Sequence, residues 1–247
     1  MKKISIILTI ILFSANLSSQ DFNWQYSTRL PYKIPQFFLG LTANFDYNHN
    51  SGDFTFLSEN IPCCNFKSGN GIGYNIGISS EYWILPRTAI FTSIIFNHIN
   101  TLFLVASEPY PYRDFEDLIT EYEFNHSLSL ILIEFGAKQR IVDKFGLSFA
   151  FKPQIYLNSS QEFTERNISQ NNFFFDEKTY YNGEIPNLMR IIFNFDLKLT
   201  YDLNLGLGKY SEIFISGTFP LNNISVNQSW KIYHFSSGIK LYLLNFK

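Results

Sequence analysis

The side chains best suited to acyl-transfer chemistry lie on one stretch, at His126, Ser127, Ser129 and Glu134. A serine nucleophile needs a histidine base within hydrogen-bond distance and an acidic group that orients the histidine. Successive side chains of a β-strand point to opposite faces, so on one strand His126 and Ser127 cannot form an acid–base pair. We interpret His126 as a histidine near the outer rim of the fold, and we predict that the chain has no catalytic residues and is not an enzyme.

Metal and redox chemistry have weak support. His49, His98 and His234 are scattered along the chain and suggest no metal site, and no motif indicates a cofactor. The only cysteines, Cys63 and Cys64, are adjacent and cannot link distant parts of the fold. They could form a vicinal disulfide, pair with another chain or stay reduced, and no histidine lies near enough to suggest a zinc motif.

The composition indicates a chain that alternates apolar and polar residues. Aromatic residues reach 18%, with 27 Phe and 15 Tyr, while charged residues are only 16%. Ordinary soluble domains carry roughly 25% charged residues. The mean hydropathy is nevertheless close to zero. The net charge of −2 gives no basic face for nucleic acid, so we expect no nucleic-acid partner.

Residues 1–20 have the pattern of a secretory signal peptide. Lys2 and Lys3 precede a short apolar run, Ile4–Phe13, and small residues follow it. The run is too short for a membrane-spanning helix, which needs about 20 apolar residues. We predict cleavage near residue 19 or 20, a periplasmic lead-in segment at 21–35, and one domain at 36–247.

Period-two alternation dominates that domain and predicts β-strands. The apolar and polar faces are clean in five runs and mixed or short in three. Most runs exceed the roughly 5–6 residues of a typical globular strand. The clean runs are 36–48, 71–84, 144–157, 188–201 and 230–245, and the others are 88–104, 122–136 and 212–220.

The links between these runs alternate in length. Short links are expected at 85–87, 138–143 and 202–211, and long polar links at 49–69, 105–121 and 158–187, with a smaller one at 221–229. Short periplasmic turns that alternate with long external loops are typical of outer-membrane barrels. We therefore predict an all-β fold: a single antiparallel, up-and-down transmembrane β-barrel of about eight strands.

Charged residues in the clean runs all fall on the polar face. A lysine or arginine that faces lipid at the midplane costs about 2–4 kcal/mol, whereas inside a lumen it can pair. The alternative is a soluble β-sandwich or lipocalin-like barrel, with the apolar face inward. Long strands, aromatic residues at strand ends and the small residues of the polar face favour the membrane barrel. The predicted lumen charges are Asp46, Glu81, Lys152, Arg190, Asp196, Lys198 and Lys240.

A lumen of eight strands is just wide enough for side chains to fill it. Four basic and three acidic groups should pair there, because an unpaired buried charge is costly. We therefore expect a plugged lumen that does not conduct ions.

Several stretches resemble OmpA-type small outer-membrane β-barrel domains. The end of the chain, Gly238–Leu243, is similar to the assembly signal of such barrels, although it closes on Phe246-Lys247 rather than on an aromatic residue. The stretches that resemble the first and last hairpins of the family are Leu39–Asn48, Ser51–Phe54, Pro62–Cys64, Gly69–Gly73 and Phe219–Ser225 with Trp230.

The resemblance implies a structural or surface-interaction role in the outer membrane of a Gram-negative bacterium. The expected partners are membrane lipid, lipopolysaccharide and the barrel-assembly machinery, with the surface partner unknown. The peptidoglycan-binding domain common in the family is not expected here. Two other functions stay open: a transport or secretion accessory barrel for a small or hydrophobic ligand, and a lipid-modifying enzyme. The acidic segment 105–123 could bridge divalent cations to lipopolysaccharide or could simply be a solvated loop.

Overall fold

A computed structural model describes residues 37–58, 61–85, 87–106, 119–142, 144–168, 177–206 and 209–246, without the side chains of 54–64. The predicted signal peptide and lead-in segment lie outside the described residues. The side chains of Cys63 and Cys64 do too, so the possible vicinal disulfide stays a prediction. Among the described residues, no helix is long and apolar enough to cross a membrane.

The described chain forms antiparallel β-strands, most of them far longer than a globular strand. Alternating side chains and β-branched or aromatic residues favour this geometry along each run. The strands are β1 (Phe37–Ser58), β2 (Ile61–Leu85), β3 (Thr88–Ala106), β4 (Thr120–Val142), β5 (Phe145–Asn167), β6 (Glu177–Gly183), β7 (Ile191–Gly206), β8 (Lys209–Pro220) and β9 (Ser229–Phe246).

Eight of these strands close into a ring. Within the ring each strand pairs with the next one along the chain, with β7 following β5. The ring closes where β1 pairs with β9, from Phe37↔Phe246 to Asp53↔Ser229. Strand β5 pairs with β4 along its length, with β7 near its start and with the short β6 near its end. The predicted up-and-down barrel of about eight strands is therefore confirmed, and β6 is an addition beyond the ring. We call the end that carries Phe37 and Phe246 the inner end, and the opposite end the outer end.

The strands extend well past the predicted outer boundaries. The segment 49–69 was expected to be a long polar link, but β1 continues to Ser58 and β2 begins at Ile61, so this prediction is wrong. Polar residues do not end these strands, because the pairing of β1 with β2 satisfies the backbone hydrogen bonds whatever the side chains are. Strands β3, β4 and β5 also run far outward, whereas β7 and β8 stop pairing at Asn194↔Pro220. The outer end is therefore a tall wall on one side of the ring.

The two faces of the ring have the polarity of a membrane protein. Phe45 and Ile72, on the outward face, are 76% and 73% exposed, while Glu134 and Asp196, on the inward face, are fully buried. We call the outward apolar surface the apolar belt. Its members include Leu41, Phe45, Ile72, Ile76, Ile78, Ile94, Phe135, Phe149, Leu197, Leu199, Ile215, Phe235 and Ile239.

Candidate functional site

The middle of the lumen holds a cluster of two acidic and two basic side chains, which we call the central cluster. It consists of Glu134 on β4, Lys152 on β5, and Asp196 and Lys198 on β7. The Glu134 carboxylate lies 2.5 Å from the Lys198 ammonium and 3.5 Å from that of Lys152. Asp196 lies 3.1 Å from Lys152 and 3.6 Å from Lys198. Each charge therefore has two opposite charges within ion-pair distance, as burial requires.

A second cluster, the inner cluster, lies toward the inner end. Its centre is Lys138, whose ammonium is 2.7 Å from Asp202, 2.5 Å from Glu212 and 3.8 Å from Glu81. The Arg140 guanidinium reaches Asp202 at 2.5 Å. Lys240 joins the same group through Glu212, at 3.5 Å.

Aromatic side chains close the inner end beneath this cluster. Tyr210 donates a hydrogen bond to Glu81, and its ring stacks on Tyr242 with centroids 4.6 Å apart. The Arg140 guanidinium lies 4.0 Å from the centre of the Trp83 ring, a cation–π distance. Phe38 packs on Tyr210 with centroids 5.1 Å apart. Aromatic rings thus pack together at the inner end of the lumen.

Six of the seven predicted lumen charges face inward and are at most 8% exposed; they are Asp46, Glu81, Lys152, Asp196, Lys198 and Lys240. Asp46 lies apart from the salt bridges and accepts hydrogen bonds from Asn75 and Asn97. The seventh residue, Arg190, is a wrong prediction, because its side chain is exposed. Strand β7 begins only at Ile191, so Arg190 lies before the strand and outside its alternation.

Five charges of the two clusters were missed, all on β4, β7 or β8. Apolar residues occupy both faces of β4 around 130–133, so the sequence did not show which face points inward. Glu134 was therefore not assigned to the lumen. Lys138 and Arg140 fell in a segment expected to be a short link, although β4 continues to Val142. They share the even-numbered face of Glu134, so extending the alternation would have found them. Asp202 was missed because it fell in the predicted link 202–211, although β7 continues through it. Glu212 was missed because it directly follows that link, although β8 begins before it.

Toward the outer end, the lumen changes from charged to apolar. The buried side chains there form one packed group, which we call the apolar chamber. Its inward Leu128, Leu130 and Leu132 explain why the run on β4 lost its alternation. The members are Phe66, Ile95, Ile99, Phe103, Phe124, Leu128, Leu130, Leu132, Phe163, Ile192, Ile224, Trp230 and Ile232.

Two connecting segments, 184–190 and 221–228, cover the chamber, and we call them together the cap. The amide of Met189 donates to the carbonyl of Ile224 at 2.7 Å, and that of Val226 donates to Asn187 at 3.0 Å. The Ile224 amide donates to the Trp230 carbonyl at 2.8 Å. The Ile224 side chain, 1% exposed, fills the chamber from above.

A small cavity separates the chamber from the central cluster. Its volume of about 10 Å³ suits a single water molecule. Apolar chamber residues line it from above, and Gln154, Tyr156, Asn194 and His234 contribute polar groups.

The structure separates His126 from the serines beside it. His126 is buried in the apolar chamber, with its ring 4.8 Å from that of Trp230. Ser127 and Ser129 point outward and approach His98 on β3 instead: the Oγ of Ser129 lies 3.0 Å from His98 Nδ1, and that of Ser127 lies 3.5 Å from Nε2. Sequence spacing could not reveal this contact, because it depends on the β3–β4 register, His98↔Ser129.

The charged lumen and the apolar belt together decide the class of protein. The chain is an outer-membrane β-barrel. Its inward salt bridges and outward aliphatic surface reverse the polarity of a soluble barrel, as a lipid environment requires. The predicted location in an outer membrane is confirmed. Within the described ranges, no three His, Cys, Asp or Glu side chains are placed to hold a metal ion.

Comparisons with known proteins give only distant likenesses. No family model and no curated protein matches the chain. Among solved structures, the attachment invasion locus protein Ail of Yersinia pestis is 9% identical, with 84% of this chain and 99% of Ail covered and a TM-score of 0.36. Neisserial surface protein A is 8% identical, with 82% and 97% covered and a TM-score of 0.35. The outer membrane protease OmpT of Escherichia coli is 8% identical, with 87% and 99% covered and a TM-score of 0.36. The OmpA-type resemblance stays a prediction.

Proposed function

We propose that this chain is a structural or surface-interaction barrel of a Gram-negative outer membrane, with a plugged lumen and no enzymatic activity. The observation that carries this proposal is the continuous filling of the lumen. From the inner end outward, aromatic rings, the inner cluster, the central cluster, the apolar chamber and the cap follow one another. A hydrated ion needs a continuous aqueous path, and the cavity along this route holds about one water.

The tall outer wall is the surface that we assign to partners. Strands β1 to β6 project beyond β7 and β8, so their outward face stands clear of the apolar belt. Exposed apolar residues, Leu102 and Leu104 on β3, lie there among polar side chains. Some of the polar ones are paired, as in the Arg166–Glu123 contact of 3.6 Å, and Tyr180 and Tyr181 are exposed on β6. Lipopolysaccharide and membrane lipid are the neighbours expected below this wall, and the barrel-assembly machinery is the partner expected for insertion.

Single-channel recording tests the plugged lumen. Refolded protein in a planar bilayer is expected to give no steady conductance step, while a porin inserted by the same procedure gives its usual steps. A reproducible, long-lived conductance from this chain would refute the proposal, because ions would then cross the two salt-bridge clusters.

Lipid-ester hydrolysis is a second candidate, favoured by the contact between His98 and Ser129. Both side chains face outward near Tyr74, whose ring lies 5.4 Å from that of His98. On the outward face of β3, His98 follows the apolar belt residue Ile94 and Phe96, and Ser129 lies opposite His98 on β4. Both therefore lie near the outer border of the belt, at the depth of the acyl esters of lipid. A histidine 3.0 Å from a serine hydroxyl can act as its base. Among the described contacts of His98, however, none is to a carboxylate.

A fluorophosphonate probe separates the two candidates, since it labels only an activated serine. Under the first proposal, refolded protein in lipid vesicles stays unlabelled while a serine esterase in the same vesicles reacts. Labelling that disappears in Ser129→Ala, and persists in the lipid-facing control Ser80→Ala, would establish the second candidate instead.

A further inference from the structure

His126 is an unusual group for the place it occupies. Its side chain is 1% exposed, and neither ring nitrogen has a hydrogen-bond partner among the described residues. The surrounding groups are the rings of Phe103, Phe124 and Trp230, at centroid distances of 5.7, 5.7 and 4.8 Å. Buried polar side chains almost always have a partner, so this exception needs a physical reason.

The chamber can hold only the neutral imidazole. His126 lies in the outer part of β4, outside the membrane-spanning part, five positions beyond Ile131, the outermost apolar residue on the outward face of that strand. Burial alone lowers the pKa of His126 from 6.5 to about 3. Between these values a histidine exposed to water is protonated, whereas His126 in the closed chamber is not.

Trp230 connects this imidazole to the cap. The rings of Trp230 and His126 are perpendicular to each other, and the Trp230 indole donates to Asn50 at 2.9 Å. The Trp230 carbonyl accepts the amide of Ile224, the residue that fills the chamber from the cap. Any displacement of Trp230 by a charged His126 therefore disturbs the backbone anchor of Ile224.

The other carboxyl and imidazole groups that neighbour the chamber are engaged elsewhere. On β5, neutral Gln161 lies opposite His126, and Glu165, four positions further out, accepts a hydrogen bond from Tyr180. On β9, His234 lies four positions deeper than Trp230 and hydrogen-bonds Asn48. On β1, Asp46 is held by Asn75 and Asn97. On β3, the neighbours are neutral: Thr101 and Phe103. On the cap, the exposed Glu184 accepts from Gln161 through its backbone carbonyl.

We propose that the cap is an acid-opened latch, in which protonation of His126 displaces Trp230 and releases Ile224 from the apolar chamber. A buried imidazolium without partners is strongly unfavourable, so the proton is taken up in an open form that water can reach. Above pH 6.5 the closed form keeps its full stability relative to the open form. This free-energy difference becomes smaller as the pH falls. Each pH unit between 6.5 and about 3 raises the ratio of open to closed forms tenfold.

The test follows the exposure of Trp230 to water. The chain has three tryptophans, so Trp24→Phe and Trp83→Phe leave Trp230 as the only one. This protein, refolded in phospholipid vesicles, is titrated from pH 7.5 to pH 4 while acrylamide quenching of its fluorescence is measured. Quenching is expected to be weak at pH 7.5, to rise steeply below pH 6.5 and to reverse on neutralisation.

Two variants in the same background complete the design. His126→Phe should keep Trp230 protected at every pH, and the outward-facing control His98→Phe should open as the parent does. If His126→Phe does not refold, His126→Gln supplies a second side chain that cannot be protonated. Quenching that is independent of pH in the parent, or equal opening in the parent and in a folded His126 variant, would overturn the proposal.

Discussion

At the scale of single residues, the buried acidic and basic side chains of the lumen neutralise one another. Glu134 lies within ion-pair distance of both Lys152 and Lys198, and it is fully buried. Removing such a charge leaves two buried ammonium groups short of a partner, and solvent cannot enter to compensate. The cost of an uncompensated buried charge is far larger than the small gain of a surface pair.

We expect Glu134→Gln to lower the free energy of unfolding by about 3–5 kcal/mol. Urea titration of the refolded barrel, followed by the gel mobility of the folded form, measures the change. Glu162→Gln removes an exposed carboxylate on the outward face of β5 and should change the unfolding free energy by under about 0.5 kcal/mol. Equal effects from the two substitutions would show that the central cluster contributes no special stability.

Sequence could predict lumen charges where the alternation was clean, as at Lys152, Asp196 and Lys198. It failed where the chain departed from simple alternation. Arg190 lies just before β7, and the strand boundary there is set by the cap rather than by the residue pattern. The contact of His98 with Ser129 depends on pairing between strands, which no single run of residues encodes.

At the scale of elements, the alternation of apolar and polar residues predicts which face of a strand points inward. It does not predict the structure of the outer end. Strands β1, β2, β5, β7 and β9 carry the predicted faces. In the cap, 184–187 and 221–228 were expected to be loop and 188–190 to be the start of a strand. The contacts that hold the cap, such as Val226 to Asn187, join segments far apart in sequence, so the residue pattern does not reveal them. Strand β6 was missed because every residue in it except Gly183 is exposed, so no apolar face alternates with a polar one.

Asn187 is the residue on which the cap geometry depends most visibly. Its φ of 56° lies in the left-handed region, which asparagine and glycine tolerate and β-branched residues do not. Asn187→Val should therefore lower the free energy needed to open the cap by about 1–2 kcal/mol. The change is measured as faster trypsin cleavage after the exposed Arg190. Asn187→Gly should stay close to the parent, and so should Asn182→Val on the exposed face of β6. A cleavage rate that is unchanged in Asn187→Val would mean that this backbone conformation does not hold the cap closed.

At the scale of the whole molecule, the fold is an inside-out barrel whose stability depends on a lipid exterior. The belt residue Ile94 is 62% exposed, and it belongs to an outward apolar surface that suits acyl chains. The same ring buries charged side chains of both signs in its centre. A soluble barrel has the opposite arrangement, with polar side chains facing water and an apolar core inside.

A charge on the apolar belt should therefore cost far more than one above it. We expect Ile94→Arg to destabilise the barrel in vesicles by about 2–4 kcal/mol, because the guanidinium would face lipid. Asn125→Arg places the same group on the outward face of β4 beyond the belt, and its effect should be close to zero. Unfolding titrations of both variants in the same lipid give the comparison, and similar costs would contradict the assigned membrane boundary.

The most direct test of the central claim is cell fractionation followed by electrophoresis with and without boiling. A closed transmembrane barrel is expected in the outer-membrane fraction, and its unboiled form should migrate differently from the boiled one because the folded ring resists detergent. Recovery in the periplasm or medium, with the same mobility before and after boiling, would contradict the account and would mean that the apolar face is turned inward.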